Sequence, residues 1–91
     1  MKTINKYELE IATNQTIKMP YDPEILYIGI QNEKICLWAL VDTDHKSENI
    51  NIEIYGTGNS INSKMDIDNH LGTVQLNSIM WHVFESNYYN K

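Results

Sequence analysis

The sequence predicts an all-β protein, a small antiparallel sandwich or barrel of about six or seven short strands. Several short runs alternate apolar and polar side chains, and turn residues recur between them about every eight to twelve positions. No segment shows a sustained helical period. At 91 residues the chain can bury one small core, so we expect a single β domain over residues 1–86 and a C-terminal tail over residues 87–91.

Two extended segments are predicted near the N-terminus. Residues 6–11 alternate charged and apolar side chains, which is the pattern of a strand with one solvated face. Residues 16–19 form a shorter extended segment that ends at Pro20. Pro20 and Pro23 lack a backbone donor and hold their predecessors in extended geometry, so this part of the chain is predicted to be a loop or a sheet edge.

A β-hairpin is predicted in the middle of the chain. Residues 25–31 and 35–41 are rich in β-branched and aromatic side chains, and only residues 32–34 separate them. Both runs are apolar at nearly every position, which is typical of strands covered on both faces. We therefore expect both strands to lie at the centre of the fold.

The remaining strands follow a polar loop over residues 42–49. Residues 50–54 alternate isoleucine with polar residues, so Asn51, Glu53 and Tyr55 are predicted to lie on a solvated face. This strand runs into a glycine pair, and residues 59–69 are predicted to be irregular. Residues 71–76 and 79–84 predict a second hairpin around Asn77 and Ser78.

The charge balance disfavours a role in binding nucleic acid. The formal net charge is -5, with 7 Lys+Arg against 12 Asp+Glu, and every one of the basic residues is a lysine. A chain without arginine lacks the planar fork that often binds bases and phosphates, and its mean field repels a polyanion. Duplex nucleic acid is not an expected partner, whereas a small phosphorylated ligand can be held by backbone N–H groups and one or two lysines.

The sequence contains neither a membrane-spanning segment nor an export signal of the usual form. No apolar run approaches the roughly 18 residues needed to cross a bilayer, and charged residues occupy the N-terminal positions where a signal peptide is apolar. We expect no membrane contact and a cytoplasmic location. The single cysteine, Cys36, lies in an apolar run and is predicted to be a buried thiol without an intrachain disulfide.

The glycine pair gives the first candidate binding site. Gly56, Thr57 and Gly58 follow a strand, as in a phosphate-binding turn, but neither a helix nor the lysine of a P-loop follows them. The residues therefore favour a bulge or a turn that needs positive φ. A binding role stays open, because N–H groups from Gly56 to Asn59 could form a nest for an anion or a carbonyl oxygen.

Aromatic side chains give the second candidate. Trp38 and Trp81 lie within predicted strands, where large aromatic residues usually pack in the core. If Trp38, Trp81 or Tyr55 lines an open face or a subunit junction, its ring offers a stacking surface for a base. Trp38 and Tyr55 are therefore added to Gly56, Thr57, Gly58 and Asn59 as candidate ligand-binding residues.

No catalytic or metal site is predicted. His45, His70 and His82 show no paired ligand spacing on one element, and His82 is expected between strands with one ring nitrogen hydrogen-bonded. Asp66 and Asp68 resemble the start of a calcium loop, but the required glycine and closing glutamate do not follow. No Ser/His/Asp arrangement can be placed from spacing, so neither an enzyme nor a cofactor is expected.

Six segments carry a resemblance that spans Lys6 to Glu85: KYELEI, QTIKMP, ILYIGIQNEKICLWALVD, IYGTGNSI, LGTVQL and MWHVFE. In order and spacing they resemble a family of short, mostly uncharacterised proteins encoded in tailed-phage and prophage genomes. Asn59 departs from a histidine that is frequent in that family, which argues against acid–base chemistry in the loop. Glu33 departs from a glycine that is common in the hairpin turn, so we expect a turn of another type.

The resemblance implies a biological setting, because small phage proteins without enzymatic motifs frequently act by binding. The first hypothesis is a non-enzymatic accessory protein that counters host antiviral defence in the cytoplasm of the host cell. It binds a host defence protein or sequesters a small nucleotide signal between the subunits of a homo-oligomer. In the nucleotide version Tyr55 or Trp38 stacks on the base, the glycine loop supplies N–H groups, and Lys34 or Lys64 offsets phosphate charge.

Two alternatives stay open. One is an acidic inhibitor that binds a basic host protein through its carboxylates, with a contact set of Asp42, Asp44, Glu48, Glu53 and Asp66. The other is a small structural or assembly component of the virion. The sequence alone does not choose between these two.

Overall fold

The computed structural model describes residues 1–86, which form seven strands and one short 3-10 helix. The elements are β1 (Lys2–Leu9), β2 (Gln15–Pro20), β3 (Glu24–Gln31), β4 (Lys34–Asp42), β5 (Ser47–Gly56), the 3-10 helix (Ile67–Asn69), β6 (His70–Leu76) and β7 (Ile79–Glu85). The all-β prediction is confirmed. The predicted tail, residues 87–91, lies outside the described residues.

The strands form two antiparallel sheets that pack as a sandwich. The three-stranded sheet has the order β1-β4-β3, and the four-stranded sheet has the order β2-β5-β7-β6. β2 occupies an edge of its sheet and ends at Pro20, which suits an edge strand because proline has no N–H to donate to a ladder. Within residues 1–86, no helix is long and apolar enough to cross a membrane.

The core lies between the sheets and is built by the alternating side chains of both. β4 contributes Ile35, Leu37, Ala39 and Val41, whereas β5 contributes Ile50, Ile52 and Ile54. The other buried members are Leu9, Met19, Ile28, Val74 and Val83. Because side chains alternate along a strand, the intervening residues of β4 must point to the outer face of the three-stranded sheet.

The prediction that both strands of the first hairpin lie at the centre is right for β4 and wrong for β3. β4 pairs with β1 and β3, whereas β3 pairs only with β4. β3 also has an irregular register between Ile25 and Tyr27. Leu26, Tyr27 and Ile30 are 50%, 63% and 40% exposed, because an edge strand that faces solvent leaves its apolar side chains uncovered.

Two-residue turns close both hairpins in the left-handed conformation. Asn32 and Glu33 have φ of 53° and 64°, and Asn77 and Ser78 have φ of 55° and 67°. Positive φ at both central residues is the geometry of a type I′ turn, which matches the twist of the flanking strands. Glu33 therefore adopts a conformation that glycine favours.

The outer side of β5 differs from its prediction. Glu53 and Tyr55 alternate with core isoleucines, yet they are only 3% and 7% exposed, so the expectation of a solvated face is wrong for both. The Tyr55 hydroxyl donates a hydrogen bond to Glu53 Oε1. The ring of Tyr55 packs edge-on against Phe84, with centroids 6.3 Å apart. Glu53 and Tyr55 therefore belong to a packed cluster and do not form a solvated surface.

Candidate functional site

The glycine loop is a tight turn that closes on itself. The Asn59 N–H donates to Gly56 O at 3.0 Å, and Gly58 at the third position has φ of +93°. Positive φ there is the requirement of a type II turn, which glycine meets at little cost. The glycine pair therefore lets β5 end and the chain reverse, as the turn prediction expected for this segment.

Most N–H groups of this loop already have acceptors. The Gly56 N–H donates to Asn59 Oδ1 at 2.9 Å, and the Thr57 N–H donates to Met80 O at 3.2 Å. With the Asn59 bond, three of the four N–H groups are engaged within the protein. Gly58 alone among these four has no acceptor within residues 1–86, so the loop offers one backbone donor and not a nest.

A chain of four polar side chains connects the loop to the edge strand β6. Thr57 Oγ1 lies 2.7 Å from His82 Nε2, and Thr73 Oγ1 lies 3.1 Å from His82 Nδ1. Thr73 Oγ1 also lies 2.9 Å from His70 Nε2. Each hydroxyl has one proton, so the hydrogen bonds between neutral rings run in a single direction along the chain, from Thr57 to His70 or the reverse.

His82 thus has both ring nitrogens hydrogen-bonded, one more than the sequence predicted. This ring fixes the Thr57 side chain over β7 and contributes to holding the loop. In the described part of the chain, no group of three or more His, Cys, Asp or Glu side chains is placed to hold a metal ion.

Trp38 lies far from the loop, on the outer face of the other sheet. Its neighbours along β4 point into the core, and its direct partners across the sheet are Lys6 and Tyr27. Ile4 and Leu40, which pair with each other, lie on the same face. We call Ile4, Tyr27, Trp38 and Leu40 the aromatic face.

The aromatic face exposes a large apolar surface. Ile4 is 58% and Tyr27 is 63% exposed, and Trp38 and Leu40 are partly exposed. The rings of Tyr27 and Trp38 have centroids 5.8 Å apart and are inclined by 42°. The two rings pack against each other in a tilted arrangement, and contiguous exposed apolar surface commonly marks a binding site.

Gly29 leaves room for the ring of Tyr27. A Cβ atom added to Gly29 would lie 2.3 Å from Tyr27 Cε2 and 3.1 Å from both Cδ2 and Cζ. The ring therefore covers the glycine backbone, and Gly29 is buried although it points to the outer face. A side chain at position 29 would therefore displace the ring of Tyr27.

Polar side chains beside the aromatic face are paired with one another. Lys6 Nζ donates to Gln31 Oε1 at 2.6 Å, although β4 separates their strands. Cys36 alternates with core residues of β4 and so belongs to this outer face, yet it is fully buried, as predicted.

A separate groove lies at the turn between β4 and β5. It has a volume of about 430 Å³ and is lined by Tyr21, His45, Lys46 and Ser47. Tyr21 is 58% exposed, and its carbonyl oxygen lies 2.9 Å from His45 Nδ1. The groove contains none of the residues predicted to bind a ligand.

The neighbouring carboxylates are largely occupied by the N-terminus. The Met1 ammonium donates to Asp44 Oδ2 at 2.7 Å and to Asp42 Oδ1 at 3.0 Å. Its hydrogen bonds to the carboxylates of Asp44 and Asp42 raise the pKa of this ammonium group. The pKa of Asp42 is lowered by the Asp44 backbone N–H, and further by the ammonium group.

The candidate residues therefore divide between two surfaces. Tyr55, Gly56, Thr57, Gly58 and Asn59 belong to the four-stranded sheet and its rim, whereas Trp38 belongs to the outer face of the three-stranded sheet. Because the two sheets pack with their inner faces together, Trp38 and the loop do not share a site. Tyr55 is nearly buried and exposes little ring surface.

Sequence reasoning did not select Tyr27, which completes the aromatic face. A two-residue turn at Asn32 and Glu33 sets Gln31 opposite Lys34, and counting back along both strands places Tyr27 opposite Trp38. The signal was present in the hairpin register. It was missed because residues 32–34 were treated as a three-residue separation.

A family model described as "Domain of unknown function (DUF7352)" matches residues 1–91 of the chain. No curated protein and no solved structure is significantly similar to it.

Proposed function

We propose a binding function for this chain, which belongs to the DUF7352 family because the model of that family matches its whole length. The protein is a non-enzymatic module that recognises another protein through the aromatic face. The observation that carries this proposal is the contact between exposed Tyr27 and partly exposed Trp38 on an outer sheet face. Buried aromatic anchors at the centre of an interface commonly provide most of its binding energy.

The biological setting of the proposal comes from the resemblance to short tailed-phage and prophage proteins. In that setting the partner is a host defence protein, and the chain acts in the cytoplasm of the host cell as an accessory factor. Binding through the aromatic face would block a surface that the host protein needs. The support for this setting is analogy with small phage proteins that act by binding.

Sequestration of a nucleotide has weaker support. Its intended residues lie on two surfaces, Tyr55 is nearly buried, and three loop N–H groups are engaged. The net charge of -5 also repels a phosphorylated ligand. Calorimetry with a panel of cyclic dinucleotides and ADP-ribose derivatives tests this version. If one of them binds the unaltered protein and Tyr27→Ala with the same heat, its binding site is not the aromatic face.

The acidic-inhibitor version loses part of its contact set. Glu53 is 3% exposed, and Asp42 and Asp44 bind the Met1 ammonium group. The remaining carboxylates do not form one patch with the aromatic face. They steer a basic partner at long range, so the association rate is expected to fall as salt rises.

Site-directed photo-crosslinking in bacterial cells tests the proposed function. A photoreactive residue is placed at position 27 in one variant and at position 21 in another, because both tyrosines are exposed and lie on different surfaces. We expect position 27 to capture a distinct protein that position 21 does not.

The captured protein is then purified and titrated against the unaltered chain, Tyr27→Ala and Tyr21→Ala. Loss of a central aromatic anchor typically costs 2 kcal/mol or more, so Tyr27→Ala should weaken binding by about tenfold or more. Tyr21→Ala should change the affinity by less than about twofold. Equal affinity for all three proteins would contradict the proposal.

A further inference from the structure

We infer that the aromatic face also binds a second copy of this chain, so that the partner protein and the second copy compete for one surface. The competition rests on the proposed function, which supplies the partner, whereas the self-association depends only on the face itself. Two features of the face support the self-association: its exposed apolar side chains, and the opposite charges on its two edge strands.

The centre of the face provides the apolar contact of such a dimer. Trp38 and Leu40 lie on the middle strand β4, between Ile4 on β1 and Tyr27 on β3. Ile4 and Tyr27 are 58% and 63% exposed. Antiparallel sheets commonly pack face to face with their strands nearly aligned, so the same face of a second copy can cover these side chains.

Each end of the outer face has opposite charges on its two edge strands. At the end where β4 finishes, exposed Lys2 lies on β1 and exposed Glu24 lies on β3. At the other end, Glu8 lies on β1, whereas Lys6 Nζ reaches across β4 to donate to Gln31 Oε1 on β3 at 2.6 Å. Positive and negative groups therefore lie on opposite edges at both ends of the face.

This charge arrangement is complementary to itself. A half-turn about an axis along β4 brings β1 of one copy over β3 of the other, as in a two-fold dimer. Lys2 of each copy then lies near Glu24 of the other, and Glu8 lies near the Lys6 ammonium group of the other. Opposite charges around an apolar centre fix the register of an interface and disfavour other arrangements.

A like-charge contact lies near the axis and opposes the dimer. Lys34 is exposed at the start of β4, so the lysines of the two copies approach each other there. Asp42, at the opposite end of β4, is bound by the Met1 ammonium group of its own chain. Lys34→Gln should therefore strengthen the dimer, because it removes the repulsion.

The face is small, so the dimer is expected to be weak. Three strands about 4.8 Å apart present a surface roughly 15 Å wide, including the side chains at its edges. Interfaces at the small end of the size range belong mostly to transient complexes. We expect the chain to be a monomer at low micromolar concentration and to dimerise at about 100 µM or above.

Sedimentation velocity over about 5 to 500 µM tests the self-association. The sedimentation coefficient of the unaltered protein should rise with concentration toward that of a dimer, and Tyr27→Ala should abolish the rise. Tyr21→Ala, which alters an exposed tyrosine on another surface, should behave like the unaltered protein. A monomer at every concentration would overturn the inference.

Charge reversal tests the arrangement of the two copies. Lys2→Glu and Glu24→Lys should each weaken the dimer by about fivefold or more, because each change sets like charges near one another. An equimolar mixture of the two variants should associate again, since each lysine of one variant then meets a glutamate of the other. If the mixture associates no better than either variant alone, Lys2 and Glu24 do not face each other and the inference is wrong.

Competition is measured by adding the protein captured from position 27 to the unaltered chain at a concentration where the chain is a dimer. The dimer should be replaced by a complex of one chain with that protein, and a complex that retains two chains would rule out competition. A monomeric chain that still binds the captured protein through Tyr27 would refute the self-association and leave the proposed function standing. A dimer from which position 27 captures no other protein would refute the proposed function, and with it the competition, while the self-association would stand.

Discussion

Tyr27 and Trp38 lie directly opposite each other on the neighbouring strands β3 and β4, with ring centroids 5.8 Å apart. Their strands are joined by a two-residue turn, so the pair is fixed by local hairpin geometry. The pair lies on the outer face, where Tyr27 is 63% exposed and Trp38 is partly exposed. Aromatic residues on the outer face of a sheet are available to a binding partner.

Gly29 of β3 and Gly72 of β6 are expected to differ in their tolerance of alanine. A Cβ on Gly72 would lie 2.8 Å from Ile28 Cβ, whereas a Cβ on Gly29 would meet only the outer atoms of the Tyr27 ring. Ile28 is buried in the core and cannot move away easily, but the exposed ring can. Gly72→Ala should lower the free energy of unfolding by about 1–3 kcal/mol, and Gly29→Ala by less than about 1 kcal/mol.

Urea unfolding followed by tryptophan fluorescence measures both values. Gly29→Ala should also weaken binding at the aromatic face, because the added Cβ would displace the ring of Tyr27. Equal loss of stability in the two variants would show that the Tyr27 ring is held more firmly than its exposure indicates.

Glycine in the hairpin turns should stabilise the protein. Glu33 and Ser78 have φ of 64° and 67°, and this region disfavours residues with a side chain. Glu33→Gly and Ser78→Gly should each raise the free energy of unfolding by about 0.5–1 kcal/mol, after the greater freedom of glycine in the unfolded chain is subtracted. Thermal unfolding of the two variants measures the gain.

Asn32→Gly is the matched control for these turns. Asparagine tolerates positive φ better than glutamate or serine, so this change should have little effect. A gain at Asn32 as large as that at Glu33 would mean that the left-handed conformation is not the source of the stabilisation.

Asn59 is expected to act as a structural residue of the glycine loop. Its side-chain oxygen accepts the Gly56 N–H at 2.9 Å, so Asn59→Ala leaves that donor without its partner. The free energy of unfolding should fall by about 1 kcal/mol. The Gly56 amide should exchange with solvent faster in NMR spectra, and Asn59→Asp, which keeps an acceptor, should restore most of its protection. Unchanged exchange in Asn59→Ala would contradict this role.

Glu85 is expected to make stability depend on pH. Its carboxyl group is half-buried, and desolvation raises its pKa, with a further contribution from the negative charge of Glu48. The folded protein therefore binds this proton more tightly than the unfolded chain does. Its stabilising effect is complete below the ordinary pKa of glutamate and is lost as pH rises through the raised pKa of the folded state.

Glu85→Gln should consequently stabilise the protein at neutral pH and have much less effect at acidic pH. Chemical unfolding over a range of pH measures the difference. Glu48→Gln provides the control, since removing its charge should lower the pKa of Glu85 in an NMR titration. Parallel pH profiles for Glu85→Gln and the unaltered protein would rule out this contribution.

Local patterns in the sequence predicted the strands and both hairpins, because alternation and turn residues act over a few positions. They could not predict which strand becomes an edge. β3 is as apolar as β4, but within residues 1–86 it has a partner strand on one side only. This follows because β1 pairs with the other side of β4, whereas β2 joins the four-stranded sheet.

The candidate site depended on the same long-range information. The prediction that Trp38 and the glycine loop share one site required both to lie on one sheet, whereas they belong to different sheets. Tyr55 appeared accessible because it alternates with isoleucine, and its packing against Phe84 comes from the pairing of β5 with β7. An alternating pattern predicts which side of the sheet a residue faces, but it does not predict what packs over that side.

Hydroxyl-radical footprinting with mass spectrometry tests the central claim most directly. The purified protein is oxidised alone and together with the protein crosslinked from position 27. Tyr27 and Trp38 should be oxidised in the free protein and protected in the complex, while Tyr21, which is 58% exposed, should be oxidised equally in both. Protection of Tyr21 with no change at Tyr27 and Trp38 would contradict the assignment of the aromatic face as the binding surface.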